Sequence, residues 1–505
     1  MSDNLDIAAI DLGSNSFHLL VAHPHAAGFT EVERLKEKVQ LLHGLVDGQL
    51  DPQAMQRGMV CLARYKQRLA SIAAEQIIVM GTQALRQAEN GQAYAEQLSR
   101  MLGVPIQVIS GAQEAQLIYS AVFHRTAWIP GPKVVLDIGG GSTEIALGCQ
   151  AVSDSQISVG IGCVNLMDRF FDGVGTFADQ FAAATRYAQD QLRAAVEANP
   201  EFAQALADSL RGGAVCFGTS GTVESILTVL AANGWIDQEI TGEAVARLNA
   251  ALLEDRWVID AGLPGLAPDR ADIFPAGVAI LTACLEVLAL PALRYESVSL
   301  LHGMVYDRLQ LKTGGIQDPR EDSVMRLAAQ CHVDQAQATR VMEVTMNLYR
   351  DSASWWIDTQ DYADLLRWSA QLHEIGRHVN SRHYHRHGGY IVKHAQLPGF
   401  SALQRDMLSL LIRGHRRSMP AVAFRAFSEE HQRSLLRAVA LLRLAVILQR
   451  SHSDVDSPDV KLTVDDDVMR LDCGPGWLAA HTLSARELEV EVQQLGRAGL
   501  QLQVS

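Results

Sequence analysis

The chain has 505 residues, too many for one hydrophobic core, which stops growing near roughly 250 to 300 residues, so three or four domains are expected. Hydrophobic residues make up 48% and charged residues 20%, and no apolar run approaches the roughly 18 residues of a membrane span, so the composition is that of a globular protein without integral membrane association. A net charge of −14 argues against a general nucleic-acid binder, whose affinity comes from clustered cations.

In chain order, Ile7 to Ile10 reads as a short strand ending at Asp11, and Phe17 to Ala22 as its partner across Asp11-Leu-Gly-Ser-Asn-Ser16. Ala54 to Ala74 has helical spacing, Gln76 to Met80 reads as a buried strand, and Gly81-Thr-Gln-Ala-Leu-Arg86 leads into a helix to about Leu102. Ile106 to Ile109 is a strand running into a helix start that carries Glu114. The pattern then restarts. Val134 to Leu136 ends at Asp137, Glu144 to Leu147 is its hairpin partner, and Ala214 to Phe217 turns at Gly218-Thr-Ser-Gly-Thr222 into a helix. The same strand, Asp-x-Gly loop and strand thus occur twice, which is economically read as an internal duplication. Beyond about 311 the strands vanish. Residues 313–319 form a candidate linker, long helical patterns run to about 455, and alternation in Leu462 to Val464, Met469 to Leu471 and Leu488 to Val492 predicts a small α/β tail. The predicted boundaries are 1–124, 125–310, 311–455 and 456–505.

Two segments carry phosphate chemistry. Glycine lets backbone N–H groups converge on phosphate oxygens without hindrance from Cβ. Gly13, Ser14, Asn15 and Ser16 form one candidate loop and Gly139, Gly140, Gly141, Ser142 and Thr143 the other, each behind an Asp at a strand end. Gly218, Thr219, Ser220 and Gly221 open a helix, whose free N–H groups suit a distal phosphate. Arg86 can fork onto phosphate oxygens. Asp11, Asp137 and Glu144 suit Mg²⁺, which prefers one or two carboxylates with water and phosphate oxygens. The bland alternatives are a ligand-free glycine hairpin, a helix-capping arginine and, for Glu114, a first-turn carboxylate favoured by the helix dipole.

The seven cysteines, at 61, 149, 163, 216, 284, 331 and 473, contain no Cys-x-x-Cys pair and suggest neither a disulfide framework nor a zinc site. The start, Met-Ser-Asp-Asn-Leu-Asp, has no basic stretch or apolar signal core, so a cytoplasmic address is expected, with membrane contact at most peripheral to the inner membrane. Residues 361–420 hold 9 Lys+Arg against 4 Asp+Glu and seven of the 17 histidines. Within this window His385, Arg386, His387, Lys393, Arg413, His415, Arg416 and Arg417 form a candidate track for a polyanion, against the simpler reading of a solvated basic face.

DLGSNSFHLL, GTQALR, SGAQEAQLI, DIGGGSTE and GTSGTVESI, in that order, resemble the exopolyphosphatase and guanosine pentaphosphate phosphohydrolase family, within the superfamily that joins actin, chaperone ATPases and sugar kinases. The resemblance implies an α/β fold of two actin-like (ASKHA, ribonuclease H-like) domains with duplicated topology, then an all-α HD-like domain and a small α/β C-terminal domain. It implies that Glu114 activates water, that Asp137 and Glu144 are further acidic site positions, and that Mg²⁺, with a monovalent cation such as K⁺, supports direct hydrolysis. A homodimer is implied too. Leu372-His373-Glu374-Ile375-Gly376 resembles the His-Asp pair of HD phosphohydrolases, but Glu replaces Asp and Leu442 to Ile447 lacks the later Asp, so an inherited scaffold is expected there. The His-Arg-His and Gly-His-Arg-Arg features resemble the exopolyphosphatase branch, which puts inorganic polyphosphate first as substrate and guanosine penta- or tetraphosphate second. An ATP-dependent kinase or chaperone and a non-catalytic alarmone sensor are the competing classes.

Overall fold

The structure is a computed structural model that describes residues 5–25, 28–171, 173–236, 239–254, 263–309, 318–356, 360–397, 399–452 and 460–505. It divides into two compact units, Met1–Ile316 and Gln317–Ser505. The predicted boundaries at 310/311 and 455/456, and the linker up to residue 317, lie outside the described residues.

In the first unit, β1 (Ile7–Leu12), β2 (Ser16–His25) and β3 (Gly28–Lys38) form a meander, followed by a ribbon of β4 (Leu45–Val46) and β5 (Gln49–Leu50). Parallel strands β6 (Ile77–Gly81) and β7 (Ile106–Val108) complete a sheet of order β3-β2-β1-β6-β7. β8 (Lys133–Ile138), β9 (Thr143–Gly148) and β10 (Ser155–Val159) repeat the meander. With β11 (Val215–Thr219), β12 (Glu239–Thr241) and β13 (Ala292–Tyr295) they form a second sheet of order β10-β9-β8-β11-β13-β12. Strand for strand, β3-β2-β1-β6-β7 matches β10-β9-β8-β11-β13, which is the duplicated topology expected. The central strands read as continuous apolar runs because both faces are covered, as parallel strands require. Between the sheets lie the helices Gly111–Arg125 and Leu300–Leu309. Ile118, Val122, Leu301 and Met304 share one apolar cluster with Ala9 and Leu20 of the first sheet and with Val135 and Phe217 of the second.

β3, β4, β5, β10, β12, β13 and β16 are absent from the sequence reading. β3 is an edge strand whose outer half carries Glu31, Glu33, Arg34, Lys36, Glu37 and Lys38, so its apolar alternation is hidden by charge.

The second unit holds six helices of ten residues or more before its sheet among the described residues, from Pro319–Gln330 to Glu429–Leu448. Its sheet has the order β14-β15-β16, from β14 (Lys461–Asp465), β15 (Val468–Asp472) and β16 (Gln501–Val504). Leu488 to Val492, expected as alternating tail strand, lies instead inside the helix Thr482–Arg497. Its buried residues are Leu488, Glu491 and Leu495, a spacing of three and four that belongs to a helix. Leu462, Met469, Leu488 and Leu502 of this tail share one core with Leu366, Leu411 and Leu442 of the bundle. No described helix is long and apolar enough to cross a membrane.

Candidate active site

The two hairpins put their acids at equivalent places. Asp11 pairs across its hairpin with His18, and Asp137 across its own with Glu144. The turns are tight. A Cβ on Gly13 would stand 2.7 Å from the Ser16 carbonyl oxygen, and one on Gly162 would overlap the Gly140 backbone, so neither position admits a side chain. The loops approach one another closely: a Cβ on Gly140 would lie 3.5 Å from Asn15 Cβ, and one on Gly141 would lie 3.0 Å from Ser14 Oγ. The structure therefore brings the two predicted loops together inside the first unit.

Glu114 comes from the first turn of the helix Gly111–Arg125, which Ser110 and Gln113 close with a capping box. It is buried, and its Oε2 accepts a 2.7 Å charge-assisted bond from Arg86 Nη1. Arg86 is fixed in turn by Ile109 O at 2.9 Å and by Gln83 Oε1 at 2.9 Å. Glu144 accepts a 2.8 Å bond from Ser158 Oγ, and Asp137 accepts one from Thr219 Oγ1.

Burial raises the proton affinity of four carboxyls here, and neighbouring carboxylates add to it at Asp11, Glu114 and Glu144. Burial, then the charges of Glu114 and Asp137, push Asp11 well above the usual carboxylate range. Burial, then Glu114 and Asp137, does the same to Glu144. Burial raises Asp137 to about 6 against the opposing Thr219 hydrogen bond. Burial also raises Glu114, with Arg86 pulling the other way. Asp11 Oδ1 is buried without a hydrogen-bond partner. Among the described residues no three His, Cys, Asp or Glu side chains form a ready metal cage. A bare carboxylate oxygen beside phosphate loops fits Mg²⁺ all the same, because that ion takes much of its shell from water and phosphate.

The third loop is less regular than expected. Ser220 has a left-handed backbone at φ 80°, uncommon for a residue with a side chain, and its Oγ accepts from Thr222 N at 3.3 Å. The hydroxyls of Thr143 and Thr219 are spent inside the protein, on Ile161 O at 2.6 Å and on Asp137. That leaves backbone rather than hydroxyl groups at these two positions to meet phosphate.

Three cations that the sequence reading missed stand at the other side of the loops. Arg34, Lys36 and Arg270 surround half-buried His18, and desolvation followed by their charges lowers its pKa to about 3. Arg270 lies so close over Gly221 that any Cβ there would overlap the guanidinium. They arrive from β3 and from the short helical segment Pro268–Ile273, far apart in sequence, with no motif to announce them.

In the second unit, Arg386, Lys393, Arg413 and Arg417 are exposed, with Lys393 paired to Asp406 at 3.1 Å, and Arg416 and His387 are half-buried. His385 and His415 are buried, which removes them from any surface track. Helical spacing places His385 on the inner face with Gly388, Gly389 and Val392, and the His415 ring Nδ1 is held by Ile412 O at 2.6 Å. His373 and Glu374 are also buried.

Residues 20–312 match the model of the Ppx/GppA phosphatase family, and residues 320–492 match domain III of Ppx/GppA phosphatases. The chain is 34% identical over 503 residues, 99% of its length and 98% of the relative's, to the guanosine-5'-triphosphate,3'-diphosphate pyrophosphatase of Pseudoalteromonas translucida (strain TAC 125). Among solved structures, an exopolyphosphatase from Cytophaga hutchinsonii ATCC 33406 is 24% identical with a TM-score of 0.52, over 61% of this chain and 100% of that one. A Ppx/GppA family member from Aquifex aeolicus is 22% identical with a TM-score of 0.50, over 61% of this chain and 98% of that one.

Proposed function

Because this chain belongs to the Ppx/GppA phosphatase family, we propose that it hydrolyses the terminal phosphoanhydride of guanosine-5'-triphosphate,3'-diphosphate and releases orthophosphate, with inorganic polyphosphate as a second substrate. The basic window alone put polyphosphate first. The likeness over nearly the whole chain to a guanosine-5'-triphosphate,3'-diphosphate pyrophosphatase supports the reverse order. Both substrates end in the same bond, so one site serves both.

The observation that carries the hydrolytic reading is Glu114, buried beside two facing phosphate loops and held by Arg86. The loop amides and Arg86 hold the terminal phosphoryl group, and Glu114 orients a water and takes its proton. Its raised proton affinity brings it nearer the range in which a carboxylate accepts a proton at neutral pH. Asp11, Asp137 and Glu144 would hold Mg²⁺, which when bound neutralises charge on the phosphate oxygens. Arg34, Lys36 and Arg270 would hold the phosphates behind the reacting one.

Phosphate release from guanosine pentaphosphate, long-chain polyphosphate and ATP, with Mg²⁺, tests this reading. We expect release from the first two, and a loss of about 10² to 10⁴ in kcat for Glu114→Gln with KM little changed. Release from ATP alone would sink the substrate assignment, and a fully active variant would sink the role of Glu114.

A further inference from the structure

Resting on the hydrolytic reading above, we infer that the cavity behind Arg86 is the passage by which water reaches the reacting phosphorus and orthophosphate leaves. The cavity, of about 400 Å³, is lined by Arg86, Gly111, Ala112, Ser158, Ala195 and Asn199 among others. Two of these side chains are bonded to site carboxylates, Arg86 to Glu114 at 2.7 Å and Ser158 to Glu144 at 2.8 Å. The cavity therefore lies one side chain away from Glu114 and Glu144, with Arg86 and Ser158 between.

The strand orders give the cleft two different ends. In the first sheet, β3 and β2 lie on one side of Asp11, and β6 and β7 on the other. In the second sheet, β11 lies on one side of Asp137, and β9 and β10 on the other. Lys36 approaches Asp269 at 4.0 Å and Arg270 overlies Gly221, so β3 of the first sheet meets the β11 side of the second. Any Cβ on Gly111, just past β7, would overlap Ser158, so the β7 side meets β10. Arg34, Lys36 and Arg270 thus mark one end, and the cavity occupies the opposite one.

Phosphoryl transfer places the attacking and leaving oxygens roughly in line. A polyanionic leaving group belongs at the end with three cations. The attacking water must then come from the opposite end, where Glu114 and the cavity are. Its oxygen bonds to the terminal phosphorus as the bridging P–O bond breaks. One water proton passes to Glu114, the bond electrons leave with the shortened chain, and orthophosphate forms on the cavity side. A water occupies about 30 Å³ of liquid volume, so the cavity has room for orthophosphate with water around it.

Filling the passage from its solvent side tests the inference. Ala112→Trp and Ala195→Trp sit on two different helices, at an exposed and a half-buried position, and neither residue is assigned a part in the chemistry. Each full-length variant is mixed rapidly with guanosine pentaphosphate and Mg²⁺. Acid-quenched samples count all phosphate formed, and a fluorescent phosphate sensor counts only phosphate that is free. We expect a wild-type rate for the first turnover, a burst near one phosphate per site, a lag in free phosphate and a several-fold fall in kcat. Asn199→Asp, exposed and of nearly equal size, should delay free phosphate in the same direction and stands in if a Trp variant fails to fold. Folded variants with unchanged kcat and no lag would overturn the passage. So would a slower first turnover with weaker substrate binding, which would place the substrate chain in the cavity instead. A wild type that releases no phosphate from any substrate overturns the hydrolytic reading itself, and the passage with it.

Discussion

Arg86 has two duties that pull its neighbour in one direction. Through charge and a direct hydrogen bond it holds Glu114 below the proton affinity that burial alone would set. Replacing it with glutamine leaves the burial and the charge of Asp137 unopposed. The acid limb of kcat/KM, set by ionisation of the base in the free enzyme, should then move to higher pH by about one unit. A pH profile of Arg86→Gln checks this, and an unmoved acid limb would mean that another group is the base. At this scale the sequence was most readable where chemistry and backbone coincide. Asp11 and Asp137 stand out because each closes an apolar strand and opens a glycine turn. Arg34, Lys36 and Arg270 do not, because three-dimensional convergence of ordinary surface cations has no local pattern.

At the scale of elements, the central strands and the long helices were legible because burial writes its period into the chain. β3 was not, since charge fills its outer half, nor were β12 and β13, which at three and four residues are too short to show a period. The tail helix Thr482–Arg497 was misread because Leu488, Val490 and Val492 alternate; yet Val490 is 52% exposed, while Glu491 is 3% exposed. Burial there is bought by charge pairing rather than by apolarity, which no hydropathy pattern records. In the same unit, burial lowers the pKa of His373 from 6.5 to about 4. Between those values the unfolded chain binds more protons than the folded one, so stability falls as pH drops through that window and is untouched above it. One such group costs roughly 3 kcal/mol below both values. His385, also lowered to about 4, and His415, lowered well below its usual range, act in the same direction. His373→Asn should therefore flatten the fall in thermal midpoint of the second unit between pH 7 and 4.5. A calorimetric series that kept the wild-type slope would show that the acid sensitivity lies elsewhere.

For the whole molecule, a net charge of −14 makes the placement of cations decisive if the substrate is the polyanion proposed. The first unit keeps three beside the glycine loops. Arg386, Arg413 and Arg417 remain exposed on the second. If these collect long polyphosphate, changing all three to glutamate should lower kcat/KM for long chains by about tenfold or more. Guanosine pentaphosphate hydrolysis should stay near normal, and the loss should shrink as salt screens the charges. An equal loss on both substrates would remove the chain-collecting role.

Arg443 and Glu491 join the last long helix of the bundle to the tail helix through a buried pair, with Nη2 to Oε2 at 2.7 Å. Arg443 also donates to Gly414 O at 2.7 Å and Arg417 O at 2.8 Å. The partner of a deeply placed guanidinium is thus encoded 48 residues downstream of it. A nonsense or frameshift allele that spares every glycine loop would still strand that charge in a dry interior, which usually costs several kcal/mol. Alleles truncated between Arg443 and Glu491 should consequently behave as folding defects of the helical unit.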